Sequence, residues 1–510
     1  MRILAGTVAV AALFAATAAR ADVTAEQVWD QWKEVAANGG QTITATSQDK
    51  KGDTLRLKGV KTVAEHDSGA SFTGTLDEVD LREMGDGSVQ ITMSPDYPVV
   101  FDAEGDDGKS MHMTLNIHQQ GLKITATGSP GDTRYDIDAP EITFDLPNVE
   151  ADGRRADLKA SGKLTALKAS YAIKGSDTMH VSSTFAARHL TVALSATKPE
   201  DKGGDTGAGA GTGAGGGTLT FNAEAKDLGG SSESTMIKGT SMNMMDAALK
   251  AGATVDAKMG VGSMTYDFAV DENGKQTQGN GSVADGKLTV GLSKERMHYG
   301  TSSGASDLTL SGSEMPVPKV SLALAKTAFD MVLPLMKDDA KQPFSLMLAL
   351  GGVKPSDEIW SMIDPGNVLP HDPAELEVDL GGMVTLARDL FGTETATAPM
   401  DPPGQIDSVD IRKVHVAAAG ADLSGTGAFT FDNSMGPQPV PEGSVDLTLK
   451  GGMELIDNLV KMGFVPEDQA AGTKMMLGLF AKPGDGPDTM TSKIEVKKDG
   501  QILANGQRIK

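Results

Sequence analysis

Leu423-Ser-Gly-Thr-Gly-Ala-Phe-Thr-Phe431 and Val445-Asp-Leu-Thr-Leu449 each send alternate residues to opposite sides. A strand with one buried face requires that period of two. Both lie between Val409 and Lys510, where neighbouring signals agree. Ile411 to Ala418 reads as a strand before them. Met453 to Met462 reads as a helix after them, with Ile456 and Leu459 inward and Gly463 as its stop. Pro466-Glu-Asp468 opens a second helix with the proline and acids that a helix N-terminus favours, and Lys482-Pro-Gly484 ends it. Ile494-Glu-Val496 then turns through Asp499-Gly500 into a closing hairpin.

The same period recurs upstream. Phe344-Ser-Leu-Met-Leu-Ala-Leu350 is the cleanest alternation in the chain, with Phe344, Leu346, Leu348 and Leu350 on one face. Val320 to Leu335 has helical length, but Pro334 and the alternation at Val320, Leu322 and Leu324 favour strand. From Gln41 to about Ala196 strand follows strand, among them Thr54–Lys58, Met111–Ile117 and Leu158–Ile173. Turn dipeptides such as Gly52-Asp53, Asp86-Gly87 and Asp152-Gly153 separate them. Strands without intervening helices imply an antiparallel meander. Helices are expected near 24–38, 242–250, 356–363, 453–462 and 467–480. The first carries capping-box spacing at Thr24 and Gln27 and an apolar stripe of Val28, Trp32 and Val35. The expected fold is mainly β: a large curved antiparallel sheet with a few short helices packed at its ends.

Residues 201–217 are a Gly-rich flexible loop or linker between a β-rich half at 22–200 and a β-rich half with short helices at 218–510. Strand-like Leu190–Leu194 and Leu219–Ala223 flank it, which favours a loop inside one continuous sheet. Such a composition cannot bury enough surface to offset its ordering entropy.

Residues 1–21 read as an export signal: Arg2, an apolar run from Ile3 to Ala18, and Ala19-Arg20-Ala21 as the cleavage site. That implies a periplasmic chain starting at Asp22, with no transmembrane span after removal of the signal. With no cysteine the fold holds without disulfides. The formal net charge of −23 becomes −25 once Arg2 and Arg20 are removed, which argues against nucleic acid and anionic lipid headgroups as bulk electrostatic partners. Three Trp and five Tyr are few for a sugar-binding cleft, whereas 26 Met suit an irregular core or an adaptable apolar surface.

Several segments resemble a known family. Phe464-Val-Pro-Glu-Asp-Gln469 through Ala481-Lys-Pro-Gly484 to Leu503-Ala-Asn-Gly-Gln-Arg508 is similar to an uncharacterised family of exported alphaproteobacterial proteins. So are Ser356-Asp-Glu-Ile-Trp360 with Asp364-Pro365-Gly366, and the opening helix around Trp29 and Trp32. The resemblance implies a periplasmic address and, by looser similarity, the long β-sheet architecture of AsmA-like lipid-handling envelope proteins. It carries no catalytic residue across.

No catalytic motif is found. The eight histidines form no His-Glu-x-x-His motif, and Asp102–Gly108 has Asp107 and Met113 where a calcium loop needs glycine and a bidentate acid. No cofactor is expected. Three classes stay open: a carrier of an apolar ligand such as lipid, an assembly protein acting through envelope partners, and an enzyme with a dispersed site. The candidate groove wall is Phe344, Leu346, Leu348, Leu350, Phe429, Phe431, Val445, Leu447 and Leu449, unless the opposite sheet or helices cover those strips as an ordinary core.

Overall fold

The chain lays down its strands almost in the order in which it is read, each antiparallel to the one before. The computed structural model describes residues 22–65, 69–105, 109–198, 216–240, 244–391, 402–435 and 439–510. The export signal and most of the Gly-rich tract lie outside these. Among the described residues 65% are strand and 12% helix, in one 28-stranded antiparallel sheet with five short helices. The period of two therefore decides the fold as expected. The rows run β3 (Thr54–Glu65), β4 (Ser71–Glu83), β5 (Val89–Met93) beside β6 (Asp96–Glu104), and β8 (Lys123–Ser129) beside β7 (Ser110–Gln120). β9 (Asp132–Ala151), β11 (Asp157–Lys174), β12 (Thr178–Lys198), β13 (Gly217–Ile237), β14 (Thr254–Glu272) and β15 (Lys275–Leu292) follow. Then come β16 (Arg296–Ser303) beside β17 (Ser306–Gly312), and β19 (Lys326–Pro334) beside β18 (Val320–Leu324). β20 (Gln342–Pro355), β21 (Ala374–Leu386), β22 (Gly404–Ala418), β23 (Ala421–Asp432), β24 (Val440–Lys450), β26 (Thr489–Val496) and β27 (Ile502–Ala504) complete it. The Gly-rich tract joins adjacent strands, because Lys198 of β12 pairs with Gly217 of β13.

A crease crosses these strands. Pro140 of β9, Ala166 of β11, Arg188 of β12, Asp227 of β13, Gly262 of β14 and Asp285 of β15 each stand unpaired between paired neighbours. Ala166, Asp227 and Asp285 take left-handed backbone, with φ near 50°. One opposed pair drops out of each ladder while the register holds, and the left-handed residues turn the chain so that the alternation resets. Apolar side chains at odd positions on one side of the crease (Tyr171, Ala169) continue at even positions on the other (Leu164, Gly162) and keep the same face. Toward both flanks the crease becomes a break, and one row is filled by two shorter strands: β5 and β6, β7 and β8, β16 and β17, β18 and β19.

Helix α1 (Ala25–Asn38) shows how the sheet curls. Its capping box forms: Gln27 N donates to Thr24 Oγ1 at 3.3 Å and Thr24 N to Gln27 Oε1 at 2.9 Å. The helix is tied to Lys50 of β2 (Ser47–Lys51) through Glu26 at 3.1 Å and to Glu83 of β4 through Ala25 N at 3.0 Å. It is also tied to Tyr135 of β9 through Gln31 at 2.7 Å, and to Lys238, just past β13, through Glu34 at 3.0 Å. In a flat sheet β2 and the end of β13 would lie roughly 35–40 Å apart at the usual strand spacing, yet a helix about 10 Å wide reaches both. The sheet therefore wraps α1. Trp29, 2% exposed, anchors a fully buried cluster with Val28, Leu57, Val79, Leu81, Ile91, Ile173 and Val181. Trp32 and Val35 of the expected stripe pack only at its margin.

The other helices cover little. α2 (Met245–Lys250) seats Leu249 on Leu335 and Met336, and Lys250 is held by Asp389 and Asp246, which push its pKa up to about 12. α3 (Asp357–Ile363) leads into a turn in which buried Asp364 accepts from Val368 N at 3.0 Å and Leu369 N at 2.7 Å. Trp360 stacks on His371 there, 4.0 Å between centroids. α4 (Gly452–Lys461) and α5 (Glu467–Phe480) form a hairpin beside the last rows.

Candidate functional site

The two faces of the sheet differ in kind. Reading directly opposed residues from strand to strand gives ladders along the sheet. One starts at Val89 of β5 and passes Ala126, Tyr135, Tyr171, Ser183, Ser232, Ala257, Val290, Tyr299 and Met331. It goes on through Leu346, Leu380, Ile411, Gly427, Val445 and Ile494 to Ala504 of β27. No member is charged, and the two serines satisfy each other at 2.8 Å. At a strand spacing of ~4.8 Å this path is roughly 75 Å long. The next ladder on the same face runs from Leu55 through Ile137, Phe185, Met259, Phe329, Leu348, Val378, Val414 and Leu447 to Ser492, also without a charge.

The candidate wall residues all lie on this face. Leu346 and Val445 fall in the first ladder, Leu348 and Leu447 in the second. Leu350, Leu376, Val416, Leu423 and Leu449 form a third, and Phe344, Gly382, Val409, Phe429 and Gly443 a fourth, with Phe431 beside Pro441 just beyond. Each of the named candidates is half-buried, and none is fully covered. Among the described residues the largest covered area lies under α1, with a smaller one under α2 and Ala504 buried at the far end of the path. Away from these the face opens: Met259 is 52% and Ile406 48% exposed, and Tyr299 and Val416 are exposed as well. The first and last rows do not meet, since β2 pairs with β3 and β28 (Gln507–Arg508) with β27. The sheet is an open trough, stopped near its first rows by α1.

Several residues of this face escape a strand-by-strand reading of the sequence: Met259, Tyr299, Phe329, Met331, Val378, Leu380 and Val414. Register joins them into one face, helped at Met259 by the parity switch at the crease, and register is set by pairing rather than by any one strand.

The opposite face carries the charge. Arg56 bonds Asp80 at 2.7 Å, Lys163 meets Glu141 at 2.8 Å, Asn222 donates to Asp267 at 2.8 Å, and Lys413 meets Glu377 at 2.8 Å. Histidines join this pattern one by one. His112 contacts Asp102 at 2.6 Å, and His298 contacts Asp330 at 2.8 Å. His118 lies between Asp96 at 2.6 Å and Asp145 at 2.8 Å, and these two hydrogen bonds raise its pKa above the usual imidazole value. Such exposed cross-strand pairs stabilise weakly. Among the described residues no three His, Cys, Asp or Glu side chains are grouped to hold a metal ion. Nor is any described helix long and apolar enough to cross a membrane.

No curated protein and no solved structure matches the chain. One family model does, over β15 to β27, the part that contains every candidate wall residue. Residues 274–506 match an uncharacterised protein family conserved in bacteria, DUF2125.

Proposed function

We propose that the protein binds an apolar ligand, lipid above all, along the uncharged face of its sheet, and that it does so in the periplasm after loss of residues 1–21. The observation that carries this reading is the uncharged path from Val89 to Ala504, half-exposed over most of its length. Apolar surface in water costs roughly 25 cal/mol per Å², and monomers seldom expose contiguous apolar patches beyond a few hundred Å². A long flexible hydrocarbon laid across the strands covers such a face without a second protein layer. The looser resemblance of the sequence to AsmA-like envelope proteins favours the same ligand class by analogy alone.

The test begins with protein prepared from a periplasmic extract without denaturant. Its intact mass should start at Asp22, and organic extraction should release lipid. Leu346→Asp and Leu348→Asp should lose that lipid yet keep the strand signal in circular dichroism. Lipid-free wild type together with unfolded variants would refute the reading.

A protein partner is the second reading. The first and last rows favour it, because among the described residues they pair with a strand on one side only, which offers an edge for another chain's strand to join.

A further inference from the structure

The hairpin of α4 and α5 presents an apolar surface that the sheet does not use. On α5, Met475 is 66% and Leu479 58% exposed, with Met476 exposed beside them, and the turn before the helix exposes Phe464. Met475 and Leu479 are one helical turn apart and share a face. The inward side is accounted for: Ala470 is buried, Lys474 is bonded to Asp457, and Phe480 O accepts from Ser492 Oγ at 2.5 Å and Asn505 Nδ2 at 2.9 Å. The helix is thus held in place with its apolar side outward.

Charge adds a second observation. The chain has 69 acidic residues against 46 basic ones, yet from Gln469 to Gly484 there is no acid and there are two lysines, Lys474 and Lys482. Glu467 and Asp468 stand at the far end of α5. We infer that the C-terminal half of α5 docks on a phospholipid bilayer, lying in the interface with Met475, Met476 and Leu479 among the acyl chains and Lys482 at the headgroup phosphates. Fourteen residues are too short to span a bilayer, and the exposed apolar side chains gather at the helix's C-terminal end rather than along one full stripe, so it is that end which enters the interface. Lysine at the border of an apolar helix face extends its ammonium to the phosphates. Flexible methionines fit a fluid surface, which has no fixed shape to match. The chain runs from α5 into β26, whose Met490 pairs with Leu449, so the docked end adjoins the apolar face. The inference rests on α5 alone and not on the ligand reading.

The test is flotation of the mature protein with vesicles of phosphatidylcholine mixed with phosphatidylglycerol. Wild type should float, and the double variant Met475→Glu/Leu479→Glu should lose at least about tenfold in partition. Met259→Glu, on the open sheet face, should float like wild type, so that loss of ligand and loss of docking are told apart. Circular dichroism checks that each variant keeps its strands. Wild type that stays at the bottom of the gradient overturns the inference, and so does flotation unchanged in the double variant. A vesicle-free dimer that the double variant splits into monomers also overturns it, by assigning the surface to a second copy.

Discussion

Aspartate at Leu348 and aspartate at Leu57 should have very different costs, although both leucines face the same side of one sheet. Leu57 is fully buried under α1, in the cluster with Trp29 and Val79. Truncating such a leucine costs about 2–5 kcal/mol, and a carboxylate left there without a partner adds several kcal/mol of desolvation. Since domains are held by only about 5–15 kcal/mol, Leu57→Asp should unfold the first rows. Leu348 is half-buried between Phe329 and Val378, with no helix above it. Its loss forfeits about half of a leucine's transfer energy, roughly 1 kcal/mol, and the new carboxylate keeps its water. Urea titration of lipid-free protein, followed by circular dichroism and tryptophan emission, separates the two cases. Trp29 and Trp32 report on the plugged end and Trp360 on the far part of the sheet, so partial unfolding would be visible. If Leu348→Asp lowers the midpoint as far as Leu57→Asp does, the face is a covered core and the trough is wrong.

Ala166 holds φ at 53°, where a Cβ is unfavourable, so Ala166→Gly should stabilise by about 0.5–1 kcal/mol after the entropy of glycine is counted. A lower urea midpoint would contradict the crease. Gly382 faces the Phe344 ring and Ser408 O, and an added Cβ would strike both. Gly382→Ala should therefore cost about 1–3 kcal/mol in the same titration, and a neutral result would mean that the ring does not lie over the glycine. The raised pKa of His118 makes its contribution fully present below the ordinary imidazole pKa and lost as pH rises through the higher folded value. The melting temperature should fall slightly over that window in wild type and not in His118→Gln. NMR titration of the ring should give a midpoint above the usual imidazole value, and a midpoint at or below it would show that the two carboxylates do not hold the proton.

Elements with local causes were legible in the sequence. The Thr24 and Gln27 spacing predicts a capping box, and the box forms. Pro466 with Glu467 and Asp468 marks the start of α5, which begins at Glu467. Pro334 and the alternation before it turn Val320–Leu335 from a helix of suitable length into β18 and β19. Three things were hidden, all set by contacts between distant residues. Trp29 is the chief anchor of α1 although it lies off the stripe of Val28, Trp32 and Val35, because the sheet wraps the helix and covers a second side of it. The crease was hidden because Leu158–Ile173 looks like one strand unless the change of parity at Ala166 is noticed. The path from Val89 to Ala504 was hidden because no single strand contains it. A strip such as Phe344–Leu350 announces an apolar face, but whether a layer covers that face depends on helices encoded elsewhere.

Five glycines of this sheet make room for aromatic rings. Phe144 lies opposite Gly162, Phe185 opposite Gly230, Phe268 opposite Gly279, Phe344 opposite Gly382 and Phe429 opposite Gly443. In each pair a Cβ on the glycine would collide with the ring or with the aromatic residue's own backbone. The rings therefore lie down over neighbouring backbone instead of standing up into a second layer. A ring in that position shields the strand hydrogen bonds that a missing layer would otherwise protect, and it supplies apolar contact where glycine offers none. It also keeps the floor of the trough low. An ordinary β-sandwich fills the space above such a face with upright side chains from an opposing sheet, whereas here the aromatic groups are spent on the floor itself. That leaves room for a slender flexible chain lying across the strands, and little depth to grip a bulky rigid ring system.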